Sequence, residues 1–171
     1  MPPCDQSVRP TTDRIKETVF NILSSRYGIG ARVLDLFCGS GALGIEALSR
    51  GAEYVAFVDK SAQSIRLTQK NLQGIRESYE LFHTDYRIAL SRFTQAFDLI
   101  LLDPPYADGR EEETVRLIEE RRLLADGGVI FIEHSRENNL LNMPQSFIID
   151  TRNCGNTSIS FLTHAEDDHH G

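Results

Sequence analysis

Apolar residues recur along this chain in two rhythms. Ile15, Val19, Phe20, Ile22 and Leu23 keep the three-and-four spacing of one helix face. That stripe is opened by the capping pair Thr12 and Asp13 and closes near Gly28. Residues 32–37 form a short, nearly unbroken apolar run cut by Gly39-Ser40-Gly41, after which 42–50 reads as a helix closed by Gly51. The same unit returns. Residues 54–58 read as a strand ending in Asp59, and a helix follows from a Ser61 cap to about residue 76. Residues 79–83 are a third strand, ending at Thr84-Asp85, and 97–102 a fourth, ending in Asp103-Pro104-Pro105-Tyr106. A polar helix over 110–123 and a strand over 129–133, opened by Gly127-Gly128, complete the series. The end differs: 146–151 and 157–163 are strands joined by Asn153-Cys154-Gly155-Asn156, the turn chemistry of a hairpin.

Five strands that are apolar on both faces and alternate with helices belong in a parallel sheet covered on both sides. The prediction is a Rossmann-like α/β fold: a doubly wound, mostly parallel, seven-stranded sheet with a C-terminal antiparallel hairpin. Within one overall domain, residues 1–30 form a segment and helix covering the ligand side, 31–164 the main domain and 165–171 an acidic tail. Such sheets bind ligands beyond the carboxyl ends of their strands. Asp35 lies in the first strand, just before the glycine turn, and Asp59, Asp85 and Asp103 end the next three. Four carboxylates are therefore expected along one rim.

Composition narrows the class. The chain has 171 residues, 40% of them apolar and 25% charged, which suits a domain with a buried core and excludes a disordered tail protein. No apolar run approaches the ~20 residues of a membrane helix, and MPPCDQSVRP has no secretory h-region; a cytoplasmic location is expected. The formal charge is −7, unevenly spread. Residues 1–34 hold five basic against three acidic residues, whereas 108–171 hold six against thirteen. An anionic partner near the start of the chain thus remains compatible with the overall acidity. Cys4, Cys38 and Cys154 are too far apart for a CxxC metal pair and read as reduced thiols. The five histidines have no ligand-like grouping with cysteine, so no metal is expected.

The glycine turn supplies the first chemistry. Gly39 and Gly41 let a ligand approach the backbone closely, and Gly44 completes a nominal G-x-G-x-x-G. Asp35 ahead of it would repel a pyrophosphate and favour an amino or sulfonium group. Asp59 stands where an adjacent-strand carboxylate takes the hydroxyls of a ribose. Asp85 could accept from an adenine amine. Singly, each aspartate reads as well as a helix cap. Together a ribose, an adenine and a cationic amino-acid tail describe S-adenosylmethionine. Asp103-Pro104-Pro105-Tyr106 is a stiff platform, because proline fixes its own φ and extends its predecessor. It offers the Asp103 carboxylate and the Pro104 carbonyl to the two hydrogens of a planar NH₂, and the Tyr106 ring to the face of a base.

The blocks DLFCGSGALGIEAL (35–48) and DPPY (103–106) resemble class I S-adenosylmethionine-dependent amino-methyltransferases. RPTTDR (9–14), continuing to FNIL (20–23), narrows the resemblance to the RsmD family of 16S rRNA guanine-N2 methyltransferases. The likeness extends from about Arg9 to Leu162. It implies that Asp35, Gly39 and Gly41 hold the methionine part of the cofactor, and that Phe37 and Ser40 also bind the cofactor. It implies further that Asp59 grips the ribose, Lys60 flanks the adenine, and Asp85 and Tyr86 meet its edge. Thr12 and its neighbours would cover the cofactor, with Arg9 and Arg14 meeting RNA. Asp103, Pro104 and Tyr106 would be catalytic. The expected partner is 16S rRNA, in the small subunit or a late assembly intermediate, bound by a monomer. Members of that family begin with a longer, basic, glycine-containing lead. Here eight residues precede Arg9 and none is basic: either the start is truncated or the grip on RNA is weaker. Three other readings stand beside it on the residues alone: an amino-methyltransferase acting on adenine N6 in DNA or a protein glutamine; a non-catalytic cofactor-binding assembly module; and an NAD-binding oxidoreductase, which would want a pyrophosphate-friendly turn and an acid/base histidine near the rim.

Overall fold

The computed structural model describes residues 13–104 and 110–165. Three apolar runs form the centre of the sheet: β1 (Arg32–Leu36), β2 (Tyr54–Asp59) and β4 (Phe97–Leu102). β3 (Ser78–His83) lies outside β2, and β5 (Leu124–Ser135) lies beyond β4. β6 (Phe147–Cys154) and β7 (Thr157–His164) complete a seven-stranded sheet of order β3-β2-β1-β4-β5-β7-β6. The first five strands are parallel; β7 pairs antiparallel with both β5 and β6. This is the expected doubly wound architecture with its antiparallel hairpin.

Helices cover both faces. α1 (Asp13–Ile22), α2 (Ala42–Ser49) and α3 (Ala62–Asn71) pack over Val33, Val55, Phe57, Leu99, Leu101 and Phe131. α4 (Tyr86–Arg92) and α5 (Arg110–Glu120) pack over Leu34, Ala56, Ile100, Leu102, Ile130 and Ile132. The stripe of α1 is buried as its spacing requires, with Val19 and Phe20 fully enclosed. Burying such side chains contributes about 1.5–3 kcal/mol each.

The element boundaries differ from expectation in instructive places. α1 passes into a π-helical turn, Leu23–Tyr27, which ends where Gly28 N–H donates to Leu23 C=O. α3 stops at Asn71, short of residue 76, because a turn through Gly74 (φ 86°) breaks it. α4 was not expected: only seven residues long, it depends on its Asp85 cap. α5 ends at Glu120, and β5 starts at Leu124 rather than residue 129. Phe97 pairs with Leu124 and Leu99 with Val129, so the extra residues, including Gly127 at φ 75°, form a bulge. The hairpin turn is tighter than expected. Cys154 pairs with Thr157, leaving Gly155 (φ 61°) and Asn156 as a two-residue turn. Cys38 is a free thiol, but Cys154 is disulfide-bonded, against the expectation of reduced thiols throughout.

Parallel register also sets the side-chain phase. Asp35 is in line with Phe57 on β2 and Leu101 on β4. Since side chains alternate along a strand, Asp35, Asp59 and Asp103 share one face, the face that α1 covers. On β5 the same phase runs from Phe131 to Glu133.

Candidate active site

A cavity of about 730 Å³ opens at the carboxyl ends of the strands, between that rim and α1. Its lining includes Asp35, Phe37, Gly39, Ser40, Asp59 and Lys60. Asp85, Tyr86, Asp103 and Glu133 continue it. Ile15, Lys16 and Val19 of α1 close it from above.

The turn after β1 is built by backbone strain and by donors from α3. Phe37 adopts φ 63° and Gly39 φ 56°, and Gly41 at φ 80° is the N-cap of α2. A left-handed non-glycine residue such as Phe37 costs about 1–3 kcal/mol and persists only where its surroundings hold it. A Cβ on Gly41 would come within 2.7 Å of Thr68 Cγ2. Thr68 Oγ1 donates to Gly39 C=O at 2.8 Å, and Asn71 Nδ2 to Ser40 C=O at 3.0 Å. Asp35, only 2% exposed, accepts from Gly44 N–H at 2.9 Å. Burial above all pushes its carboxyl well above the ordinary range; the Gly44 bond opposes this, and the charges of Asp103 and Asp59 add to it. A buried carboxyl surrounded by like charge is a strong acceptor for a cationic group. Cys38 packs against Thr68, and burial pushes its thiol up to about 12, so it is no nucleophile at neutral pH.

The neighbouring loops engage their acids in the same manner. Asp59 accepts from Gly39 N–H at 3.0 Å through Oδ2 and from Ser61 N–H at 2.9 Å through Oδ1. Ser61 in turn caps α3 by accepting from Ser64 N–H, as its position suggested. Asp85 accepts from Arg87 N–H at 2.8 Å and caps α4. Tyr86 is buried at the start of that helix. Its ring lies 5.1 Å from that of Phe37, and its hydroxyl donates to Glu113.

The β4–β5 side is different. Leu102 and Ile132 are in register, so Asp103 and Glu133 follow side by side on neighbouring strands. Neither carboxyl has a hydrogen-bond partner among the described residues. Burial raises Asp103 to about 6. Burial, followed by the charge of Asp103, raises Glu133 to about 8. Pro104 is buried behind Asp103.

The structure thus gathers Asp35, Phe37, Gly39, Ser40, Asp59, Lys60, Asp85, Tyr86 and Asp103 around one cavity, with Gly41 and Pro104 just behind its wall. Arg14 is exposed on α1 and does not line it. Arg9, Thr12, Pro105 and Tyr106 lie outside the described residues. Glu133, Thr68 and Asn71 are not among the residues expected at the site. Glu133 did carry a signal: it ends the apolar run expected as the fifth strand, 129–133, just as the aspartates end theirs. Among the described residues no group of three His, Cys, Asp or Glu side chains is placed to hold a metal ion. Nor is any helix among them long and apolar enough to cross a membrane.

Residues 1–163 match the family described as Conserved hypothetical protein 95. The chain is 41% identical over 136 residues to YlbH of Bacillus subtilis (strain 168), described as a presumptive rRNA methyltransferase, covering 77% of this chain and 73% of that protein. It is 34% identical over 146 residues to the ribosomal RNA small subunit methyltransferase D of Escherichia coli (strain K12), covering 85% and 73% respectively. The solved structure of yhhF from Escherichia coli, a presumptive methyltransferase, matches with a TM-score of 0.81 at 29% identity, covering 94% of this chain and 90% of that one.

Proposed function

The chain belongs to the family described as Conserved hypothetical protein 95, and from that premise we propose that it transfers a methyl group from S-adenosylmethionine to the exocyclic N2 of a guanine in small-subunit (16S) rRNA. One juxtaposition carries the reading: Asp103, free of hydrogen-bond partners among the described residues, faces the same cavity as the buried Asp35 and the glycine turn. The name of the Escherichia coli relative supports the substrate class.

The residues present fit the cofactor. Asp35 and the Gly39–Gly41 turn would hold its cationic amino-acid end, with Phe37 and Ser40 beside it. Asp59 has lone pairs left after its two backbone bonds and would accept from ribose hydroxyls. Lys60 would flank the adenine, and Asp85 with the Tyr86 N–H would meet its edge. Thr12 would cover the site, while Arg9 and Arg14 would contact RNA. When bound, S-adenosylmethionine supplies an electrophilic methyl on a sulfonium, which needs no activation.

The chain's own task is the nucleophile. A guanine N2 amine is weak because its lone pair is delocalised into the ring. The Asp103 carboxylate and the Pro104 carbonyl accept its two hydrogens, which localises the lone pair and fixes its direction. Asp103 would then take the proton that the nitrogen releases as the new N–C bond replaces the methyl's bond to sulfur, with S-adenosylhomocysteine as the leaving group. A carboxyl at about 6 is ionised at neutral pH yet basic enough for that role. The remaining assistance is positioning and fixed electrostatics. Tyr106 stacks on the base, which must be unpaired or flipped out to reach the pocket.

The test is incubation with labelled S-adenosylmethionine and small ribosomal subunits from a strain lacking the endogenous enzyme, followed by digestion to nucleosides. N2-methylguanosine is expected. Label on another nucleoside or on protein, or none at all with cofactor binding intact, would overturn the proposal.

A further inference from the structure

The Asp103 role leaves one half-buried carboxyl of the cavity unused. Glu133 lies near the carboxyl end of β5 beside Asp103, lines the same cavity and has no hydrogen-bond partner among the described residues. A half-buried carboxyl without a protein partner loses part of its hydration, and nothing in the fold needs it there: its strand neighbours Phe131 and Ile132 are already fully packed. Adjacent strands lie about 4.8 Å apart, which places the two carboxyls at the scale of one edge of a purine ring. We infer that Glu133 is a specificity-determining residue that hydrogen-bonds the N1–H and C6=O edge of the target guanine while Asp103 holds the neighbouring N2 amine.

The inference rests on the guanine reading proposed above and deepens it. A neutral carboxyl offers one donor and one acceptor, the complement of an adjacent C=O and N–H. Burial and the Asp103 charge keep Glu133 in that neutral form near pH 7, while Asp103 is ionised and accepts from the amine. The two carboxyls would then read three atoms of one base edge without competing for a proton. A base that keeps the 2-amine but lacks the lactam, such as 2-aminopurine, loses this match.

The test compares two acceptors. Wild-type protein first methylates small subunits, and the modified position is mapped by mass spectrometry. Subunits are then reconstituted with rRNA carrying guanosine or 2-aminopurine at that position, and kcat/KM is measured for each. Wild type is expected to favour guanosine by about a hundredfold or more, since a site built to hydrogen-bond a polar group rejects an analogue lacking it. Glu133→Gln offers the same donor and acceptor and should keep that ratio within about threefold. Glu133→Ala should lower the ratio at least about tenfold, the equivalent of one lost hydrogen bond, with affinity for S-adenosylhomocysteine unchanged. Glu133→Met, which fills the space without polar atoms, gives the same reading should the alanine variant fold poorly. Taking the change in ratio cancels the different intrinsic reactivities of the two amines. An unchanged ratio in the alanine and methionine variants, with guanosine methylated by wild type, would overturn the Glu133 role and leave the proposed function standing. Failure of wild type to form N2-methylguanosine would overturn both.

Discussion

The two halves of the rim treat their carboxylates in opposite ways. On the β1–β2–β3 side, Asp35, Asp59 and Asp85 each accept from backbone N–H groups, and each thereby holds a loop in shape. On the β4–β5 side, Asp103 and Glu133 accept from none of the described residues. β4 repeats the contrast within itself. Asp98 near its amino end takes the N–H groups of Ala31 and Arg32, both at 3.0 Å, whereas Asp103 at its carboxyl end takes none from the described residues. An acid already bonded to the backbone is part of the scaffold and can serve a ligand only with its remaining lone pairs. An acid half-buried without a protein partner keeps its lone pairs free for a ligand. The first half therefore reads as a prebuilt cradle, the second as the place where a substrate's own donors complete the site.

The sharpest way to break this comparison is at Asp103. Asp103→Asn should lower kcat by about 10²–10⁴-fold, with S-adenosylhomocysteine affinity changed little in calorimetry. Asp98→Ala, on the same strand, should leave turnover intact and lower stability by about 1 kcal/mol for each backbone bond lost. Comparable turnover in the two variants would erase the distinction. Next is Asp35→Ala, for which the Kd of S-adenosylmethionine should rise about ten- to a hundredfold, the value of a charge-assisted hydrogen bond. Asp35→Asn, able to keep the Gly44 bond, should separate that ligand effect from loss of the turn.

Smaller effects follow with pH. Because Asp103 must be ionised to accept from the amine, kcat/KM should fall tenfold per unit below about 6. An unburied aspartate would hold its rate down to about 4. Stability should move the other way. Asp103 and Glu133 are raised above their unfolded values, so their contribution is complete below about 4. It is lost as pH rises through about 6 for Asp103 and about 8 for Glu133. Thermal melts should thus show a midpoint that declines from pH 5 to 9, with Glu133→Gln removing the upper part of the decline. The smallest effect is expected at Asp85→Ala, where loss of the α4 cap should cost about 1 kcal/mol in denaturant unfolding.

Much of this was legible before any coordinates. β1, β2 and β4 are apolar on both faces, so their sequences betray them directly. The turn after Asp35 is marked by glycine, and Asp103, which follows β4, by proline. α4 was not legible, because seven residues carry too little periodicity to stand out and the helix depends on one capping bond. The early start of β5 was hidden for a related reason. Leu124 joins the sheet only by pairing with Phe97 across a bulge, a fact about another strand and not about its own neighbours.

The sequence by itself determined the order of strands and helices, the glycine turn, and the rim on which ligands should bind, since all three rest on local backbone preference and on burial of contiguous side chains. Only the tertiary structure decided which acids are occupied and which are unpartnered. It also brought Glu133 beside Asp103, although thirty residues separate them in the chain. Both outcomes depend on parallel register and pleat phase between strands, and no spacing within a single segment encodes either.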